Sequence, residues 1–206
     1  MKVDFKRRYC RKLFTWKELE TLINIRPLMT TERVNIPSHE GQYRWDNNCW
    51  TNDPNCYPSS LLKMLIENNI CYLDDMSTCT EKINSFAEKL ERQYKLPVDA
   101  HIYICRNPKL SHPFGTHFDY NNNVIVQCEG KTNFKVWNEV KDKSQRQDNM
   151  TVKEDPVWDV DMNPGDAIWI PKYYPHLATS KTKRLSVSFP LKATSTLIVK
   201  RSWVKL

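Results

Sequence analysis

At Pro97 the hydrophobic pattern of the chain changes its period, and that change decides what the chain can fold into. Just before it, Ile83, Phe86, Ala87, Leu90 and Tyr94 recur at helical spacing with Glu and Lys opposite. One apolar stripe of that kind predicts a helix over about 80–94, stopped by Lys95-Leu96-Pro97. Beyond Pro97 the apolar residues alternate in short runs. Residues 100–105, 115–119, 124–128, 133–137, 157–160, 167–170 and 185–189 all read as strands between turn residues. Such a run of short strands predicts an antiparallel barrel or jelly roll.

The part before Pro97 reads as helical. Thr15-Trp16-Lys17-Glu18 is a capping box, followed by Leu19, Leu22 and Ile23, which predicts a helix over about 16–25 ended by Pro27. Ser59-Ser60 cap a second helix carrying Leu61, Leu62, Leu65 and Ile66. Residues 28–58 look irregular with one or two short strands, residues 138–156 look like a loop, and Asn121-Asn122-Asn123 is a turn candidate. The expectation is a mainly β (α+β) fold forming one unit over 1–206. In it, a helical part (1–96) packs on a β core (97–191).

Composition removes several function classes. Only 4 of 206 residues are Gly, and neither GxGxxG nor GxxxxGK[ST] occurs, so no Gly-rich phosphate loop is expected. No apolar run is long enough to span a membrane, and no apolar stretch follows the charged start Met1–Arg8, so neither a span nor a secretory signal is expected. The 7 cysteines (10, 49, 56, 71, 79, 105, 128) contain no CxxC. The Cys49/Cys56 and Cys71/Cys79 gaps are wider than zinc-knuckle spacing. Free thiols in a reducing cytoplasm are the plain reading, with a structural zinc or a disulfide as alternatives. The net charge of +7 is carried by the short clusters Lys6-Arg7-Arg8, Arg11-Lys12, Lys181-Lys183-Arg184 and Lys200-Arg201. They lack the interleaved aromatics of a stacking platform and read as a solvated basic surface. An acidic partner is the alternative, and nucleic acid is not favoured.

The chemistry lies in His117-Phe118-Asp119, read as strand, so that both polar side chains project to one face. Downstream, Pro164-Gly165-Asp166 makes a turn, a strand reaches Ile170-Pro171, and His176 follows. Two imidazoles and a carboxylate can hold Fe(II) on one face and leave positions open, although zinc accepts the same donors. Taken singly, Asp119 could cap a turn and His176 could be a core histidine.

In combination these stretches resemble the cupin-like, JmjC-type Fe(II)/2-oxoglutarate oxygenases, in particular the ribosomal oxygenase and asparaginyl hydroxylase branch. The resemblance is carried by Ile102-Tyr103-Ile104, Phe114 through Asp119, Val126 through Lys131, Phe134-Lys135-Val136-Trp137, and Pro164 through Pro171 with His176. The opening Phe14–Leu19 is similar to the family's entry helix. The resemblance implies a double-stranded β-helix in which His117, Asp119 and His176 bind iron. The cofactors it implies are Fe(II) and 2-oxoglutarate.

One position departs from the pattern. Relatives carry a Lys or Arg fifteen residues after the first iron-binding His, where it pairs with the distal carboxylate of 2-oxoglutarate; here that residue is Thr132. Lys131 and Lys135 fall on the opposite face of a regular strand, though a bulge could turn Lys131 inward. Arg184 is the better candidate, because it opens a strand in which Arg184, Ser186 and Ser188 share a face and its fork can grip a carboxylate. Otherwise it is one more surface cation beside Lys181 and Lys183. Thr132 could donate its hydroxyl to the same carboxylate. By the resemblance, Asn123 and Tyr103 stand near the cosubstrate; a turn residue and a core tyrosine are the alternatives. Trp137, Trp158 and Trp169 are read as packing.

The expected activity is hydroxylation of a C–H bond with release of succinate and CO2, on a protein or peptide side chain. A small molecule or a nucleic acid is a second substrate class. The alternative from a different class is a catalytically silent cupin, and Thr132 motivates it. Cupin chemistries built on His-x-His are disfavoured by His-x-Asp. Oligomeric state is not legible.

Overall fold

A computed structural model describes residues 2–30, 32–36, 56–110, 114–144 and 148–192. Cys49, Lys200, Arg201 and much of 28–58 lie outside the described residues. Ten strands are described: β1 (Asp4–Lys6), β2 (Val34–Asn35), β3 (Ile70–Leu73), β4 (His101–Cys105), β5 (Asn122–Glu129), β6 (Thr132–Val136), β7 (Trp158–Met162), β8 (Ala167–Ile170), β9 (His176–Ser180) and β10 (Arg184–Leu191). The helices are α1 (Trp16–Ile23), α2 (Ser59–Asn68) and α3 (Glu81–Tyr94).

The strands make two antiparallel sheets, ordered β1-β8-β5-β10-β4-β3-β2 and β7-β6-β9. Both faces of the larger sheet are covered, which is why β10 is buried at every residue although it is antiparallel. Val124, Val126, Leu185, Val187 and Phe189 face the helices in one continuous apolar core with Leu19, Leu62, Phe86 and Leu90. Ile125, Ile168 and Ile170 face the smaller sheet and meet Phe134, Val136, Met162 and Ala178. This is the jelly-roll arrangement expected of a double-stranded β-helix, mainly β with flanking helices.

The helices form where their caps and stripes predict. In α1, Thr15 Oγ1 accepts the Glu18 amide at 3.2 Å and donates to Glu18 Oε2 at 2.7 Å. In α3, Thr80 accepts the Ile83 amide, and Lys95 ends the helix in the left-handed region at φ 56°. All five residues of the predicted stripe are buried.

Three expectations are corrected. Residues 115–119 form no strand; His117 makes an isolated bridge to His176. The part before Pro97 carries two strands beyond those expected, β1 and β3, which join the larger sheet together with β2, a short strand inside the 28–58 region where one or two are expected. Asn122 and Asn123 begin β5 instead of making a turn. Among the described cysteines, Cys10, Cys71, Cys79, Cys105 and Cys128 are free thiols. Of the tryptophans, Trp169 is core, Trp158 packs on the inner cluster, and Trp137 Nε1 donates to the Glu154 carbonyl.

Candidate metal centre

The isolated bridge assembles the site. His117 N donates to the His176 carbonyl at 3.2 Å and His176 N returns a bond to the His117 carbonyl at 2.8 Å. Residues paired in this way point to the same side, so two imidazoles distant in sequence stand ring against ring with centroids 4.5 Å apart. Asp119 lies just past the bridge, where its carbonyl accepts the Tyr173 amide at 2.8 Å. Its Oδ2 is 3.7 Å from His176 Nε2.

One ligand atom from each of His117, Asp119 and His176 lies within 4.8 Å of the others. The protein also sets the tautomers. Nδ1 of His117 is 3.1 Å from the Gly115 carbonyl, and Nδ1 of His176 is 3.1 Å from the Tyr174 carbonyl. A carbonyl only accepts, so each Nδ1 carries the proton and each lone pair lies on Nε2, the arrangement a metal ligand needs. Asn123 Nδ2 donates to Asp119 Oδ2 at 2.7 Å, and Ser188 Oγ donates to Asn123 Oδ1 at 3.4 Å. Asn123 therefore orients the carboxylate of the triad.

A cavity of about 290 Å³ opens beside these residues, lined among others by Tyr72, Asp74, His101, Tyr103 and Ser188. Register puts them there: Tyr103 is opposite both Tyr72 on β3 and Ser186 on β10, and His101 is opposite Ser188. Tyr72 and Tyr103 stack at 5.6 Å. Burial, then the charges of Asp119 and Asp74, push the Tyr103 phenol well above its usual range. His101 sits between two carboxylates, with Nδ1 at 3.2 Å from Asp74 and Nε2 at 3.2 Å from Asp99.

Deeper in the barrel lies Arg184, 4% exposed. Its Nε donates to Ser186 Oγ at 3.1 Å, and its guanidinium carbon is 5.7 Å from the ring centroids of Tyr103 and Phe134. Among the described residues no acidic side chain pairs with it. Desolvation lowers it to about 10, so it is still a cation at neutral pH. On the same inward face of β6 as Phe134, Thr132 is fully buried and its hydroxyl has no partner among the described residues. A buried guanidinium without an anion is costly unless something supplies one. The unpaired guanidinium and the orphaned Thr132 hydroxyl therefore fit a carboxylate partner.

The lysine alternatives are not brought here. Lys131 is exposed, with its amide bonded to Thr182 Oγ1 at 2.8 Å, so no bulge turns it inward. Lys135 faces out, 3.7 Å from Asp159. Sequence reasoning missed Tyr72, Asp74 and His101 as cavity residues. The signal for His101 was available, since it lies two residues before Tyr103 on one strand.

A family model described as the JmjC domain matches residues 75–197, more than half of the chain. The chain belongs to the JmjC domain family. Its JmjC domain is similar to two curated proteins, each named bifunctional lysine-specific demethylase and histidyl-hydroxylase NO66. The Drosophila persimilis protein is 22% identical over 184 residues, covering 88% of this chain and 26% of the relative. The Caenorhabditis elegans protein is 26% identical over 185 residues, covering 85% and 24%. Among solved structures, the Escherichia coli ribosomal oxygenase YcfD in complex with cobalt and 2-oxoglutarate superposes with a TM-score of 0.65 at 17% identity, covering 95% of this chain and 49% of that one. Its complex with cobalt and succinic acid gives 0.64 at 16%, covering 94% and 49%. The chain thus spans about a quarter of the curated relatives' length and about half of the solved chains. These likenesses bear out the double-stranded β-helix. Among the described residues no helix is long and apolar enough to cross a membrane.

Proposed function

We propose that this JmjC domain is an Fe(II)- and 2-oxoglutarate-dependent oxygenase that hydroxylates a C–H bond on a protein or peptide side chain. The convergence of His117, Asp119 and His176, with both Nδ1 atoms committed to carbonyls, carries the reading. Each of the three offers one donor atom, and together they would hold an ion while leaving room for further ligands. When bound, the iron and 2-oxoglutarate supply the oxidising chemistry, in which O2 and 2-oxoglutarate become the new hydroxyl, succinate and CO2.

The chain's own residues hold and orient. Arg184 would hold the distal carboxylate of 2-oxoglutarate, Thr132 would donate its hydroxyl to the same group, and Ser186 steadies the guanidinium through Nε. Tyr103 links the two places, its ring 5.7 Å from the Arg184 guanidinium carbon and part of the lining of the cavity at His117 and Asp119. Asn123 keeps the Asp119 carboxylate turned to its ligand position. The printed names of the curated relatives and of YcfD support a protein substrate, and the free thiols support a reducing, cytoplasmic compartment.

The test is succinate formation by the purified chain with Fe(II) and 2-oxoglutarate. Slow uncoupled turnover is expected, abolished by His117→Ala and reduced at least about 10-fold by Arg184→Ala. The second reading, a silent cupin, is motivated by Thr132. It predicts metal binding with no calorimetric signal for 2-oxoglutarate.

A further inference from the structure

A groove of about 620 Å³ on the helical side shares no lining residue with the cavity at the triad. One wall is formed by residues 9–13, the end of a basic segment, Lys6–Lys12, that carries five cations in seven residues and no acid; of these, Arg11 and Lys12 line the groove. The fold straps this segment down. The buried Asp166 accepts Arg7 Nη1 at 2.7 Å and the Arg8 amide at 2.9 Å. Cys10 N donates to the Gly165 carbonyl at 3.0 Å, and Lys82 Nζ to the Lys12 carbonyl at 3.1 Å. The Tyr9 ring meets Phe86 of α3 edge-on at 6.1 Å. Arg8 and Lys12 both take positive φ, 51° and 56°, a conformation disfavoured for a residue with a Cβ.

Opposite this strap, α3 adds Lys82 and Lys89 to the groove, with Glu81 the acid on its lining. Arg7 is paired with Asp166 and Lys82 with Glu18. Among the described residues, no acidic side chain pairs with Arg8, Arg11, Lys12 or Lys89. Three like charges, Arg11, Lys12 and Lys89, thus line one groove between the anchored strap and α3, where they repel until an anion arrives. A partner protein would need an apolar anchor. Among the described residues, the exposed large apolar ones, Ile25, Met64, Tyr120 and Val157, lie outside the groove lining. A single strand would need an open ring on which to stack, and Tyr9 is half-buried between Phe86 and Lys6. Phosphodiesters need cations alone.

We propose that this groove binds the phosphate backbone of a nucleic-acid duplex without reading its bases. The probes are labelled duplexes of about 20 base pairs, RNA and DNA in two unrelated sequences, followed by anisotropy from about 50 to 200 mM salt. Binding is expected to be independent of sequence and to fall steeply with salt. Arg11→Glu/Lys12→Glu/Lys89→Glu is expected to weaken it at least about 10-fold and to lower the log–log salt slope by about 2–3. Lys12→Glu/Lys89→Glu, which spares the Arg11 stem packed on Gly165, should give an intermediate loss at unchanged melting temperature. Lys181→Glu/Lys183→Glu should leave affinity within about twofold. Four results would overturn the proposal: no binding at low salt, undiminished binding by the triple variant, equal loss on reversing Lys181 and Lys183, or preference for anionic vesicles or an acidic peptide over duplex.

Discussion

Arg184 is the residue on which the departure from the family's pattern turns. A cation lowered by burial to about 10 stays charged at neutral pH and loses its proton as pH rises through that value. Calorimetric affinity for 2-oxoglutarate should therefore be flat between about pH 7 and 9 and fall above about pH 10, where the guanidinium discharges. Arg184→Met should lower it about 100-fold, the worth of two charge-assisted hydrogen bonds, while leaving or raising the melting temperature because a buried unpaired charge has gone. Asn123 acts at one remove, through Asp119. Asn123→Ala should weaken Co(II) binding, read from its visible absorption, by about 10–100-fold, and Asn123→Asp should not restore it, since a carboxylate cannot donate to Asp119. Parity showed from sequence that Arg184 shares a face with Ser186 and Ser188 and that Lys131 and Lys135 oppose Thr132, and the family resemblance marked the faces of Arg184 and Thr132 as inward. The absence of an acid beside Arg184 was not legible, because it depends on which strands become neighbours.

At the scale of elements, the turn between β5 and β6 sets where β10 begins. Gly130 has φ 73°, and a Cβ there would lie 1.7 Å from the Lys183 carbonyl, directly before Arg184. The β5–β10 register also skips Cys128, with Leu185 opposite Glu129 and Ser186 opposite Gln127. Gly130→Ala should push this end of β10 away, costing about 2 kcal/mol or more in urea unfolding and weakening 2-oxoglutarate binding with little change in metal affinity. The α3 stripe and most strands after Pro97 were readable because local period and burial agree. β3 was missed because Ile70–Leu73 is a short, nearly continuous apolar run directly after α2. β9 was missed because His176–Ser180 has little β-propensity; pairing with β6 makes it a strand. For residues 115–119 local alternation suggested a ladder, but in the fold His117 alone pairs there, with His176.

In the molecule as a whole, charged groups gather where β4 meets β10 in the interior of the larger sheet. Asp99 joins the start of β4 to the end of β10, accepting from Ala100 N at 2.7 Å, 3.2 Å from His101 Nε2 and 3.4 Å from Lys192 Nζ. Burial alone would raise its carboxyl; the bonds from His101 and Ala100 and the charge of Lys192 outweigh burial and hold it below the usual range. A carboxyl depressed in the folded state stabilises above its unfolded value of about 3.9, and that stability is lost as pH falls through the folded value. Asp99→Asn should therefore lower the urea midpoint at pH 6, and the difference from the parent should shrink towards pH 3.

The paired amides of His117 and His176 also set a sequence of events in the life of the chain. Between the two lie β5, β6, β7 and β8, so the imidazoles meet only after those strands have found their places. A polypeptide still emerging from the ribosome holds His117 and Asp119 but not yet their counterpart. It would take up no ion tightly until His176 has been translated and seated. Loading is thus a late inspection of finished architecture, and an ion, once seated, would fasten shut the joint that closed last.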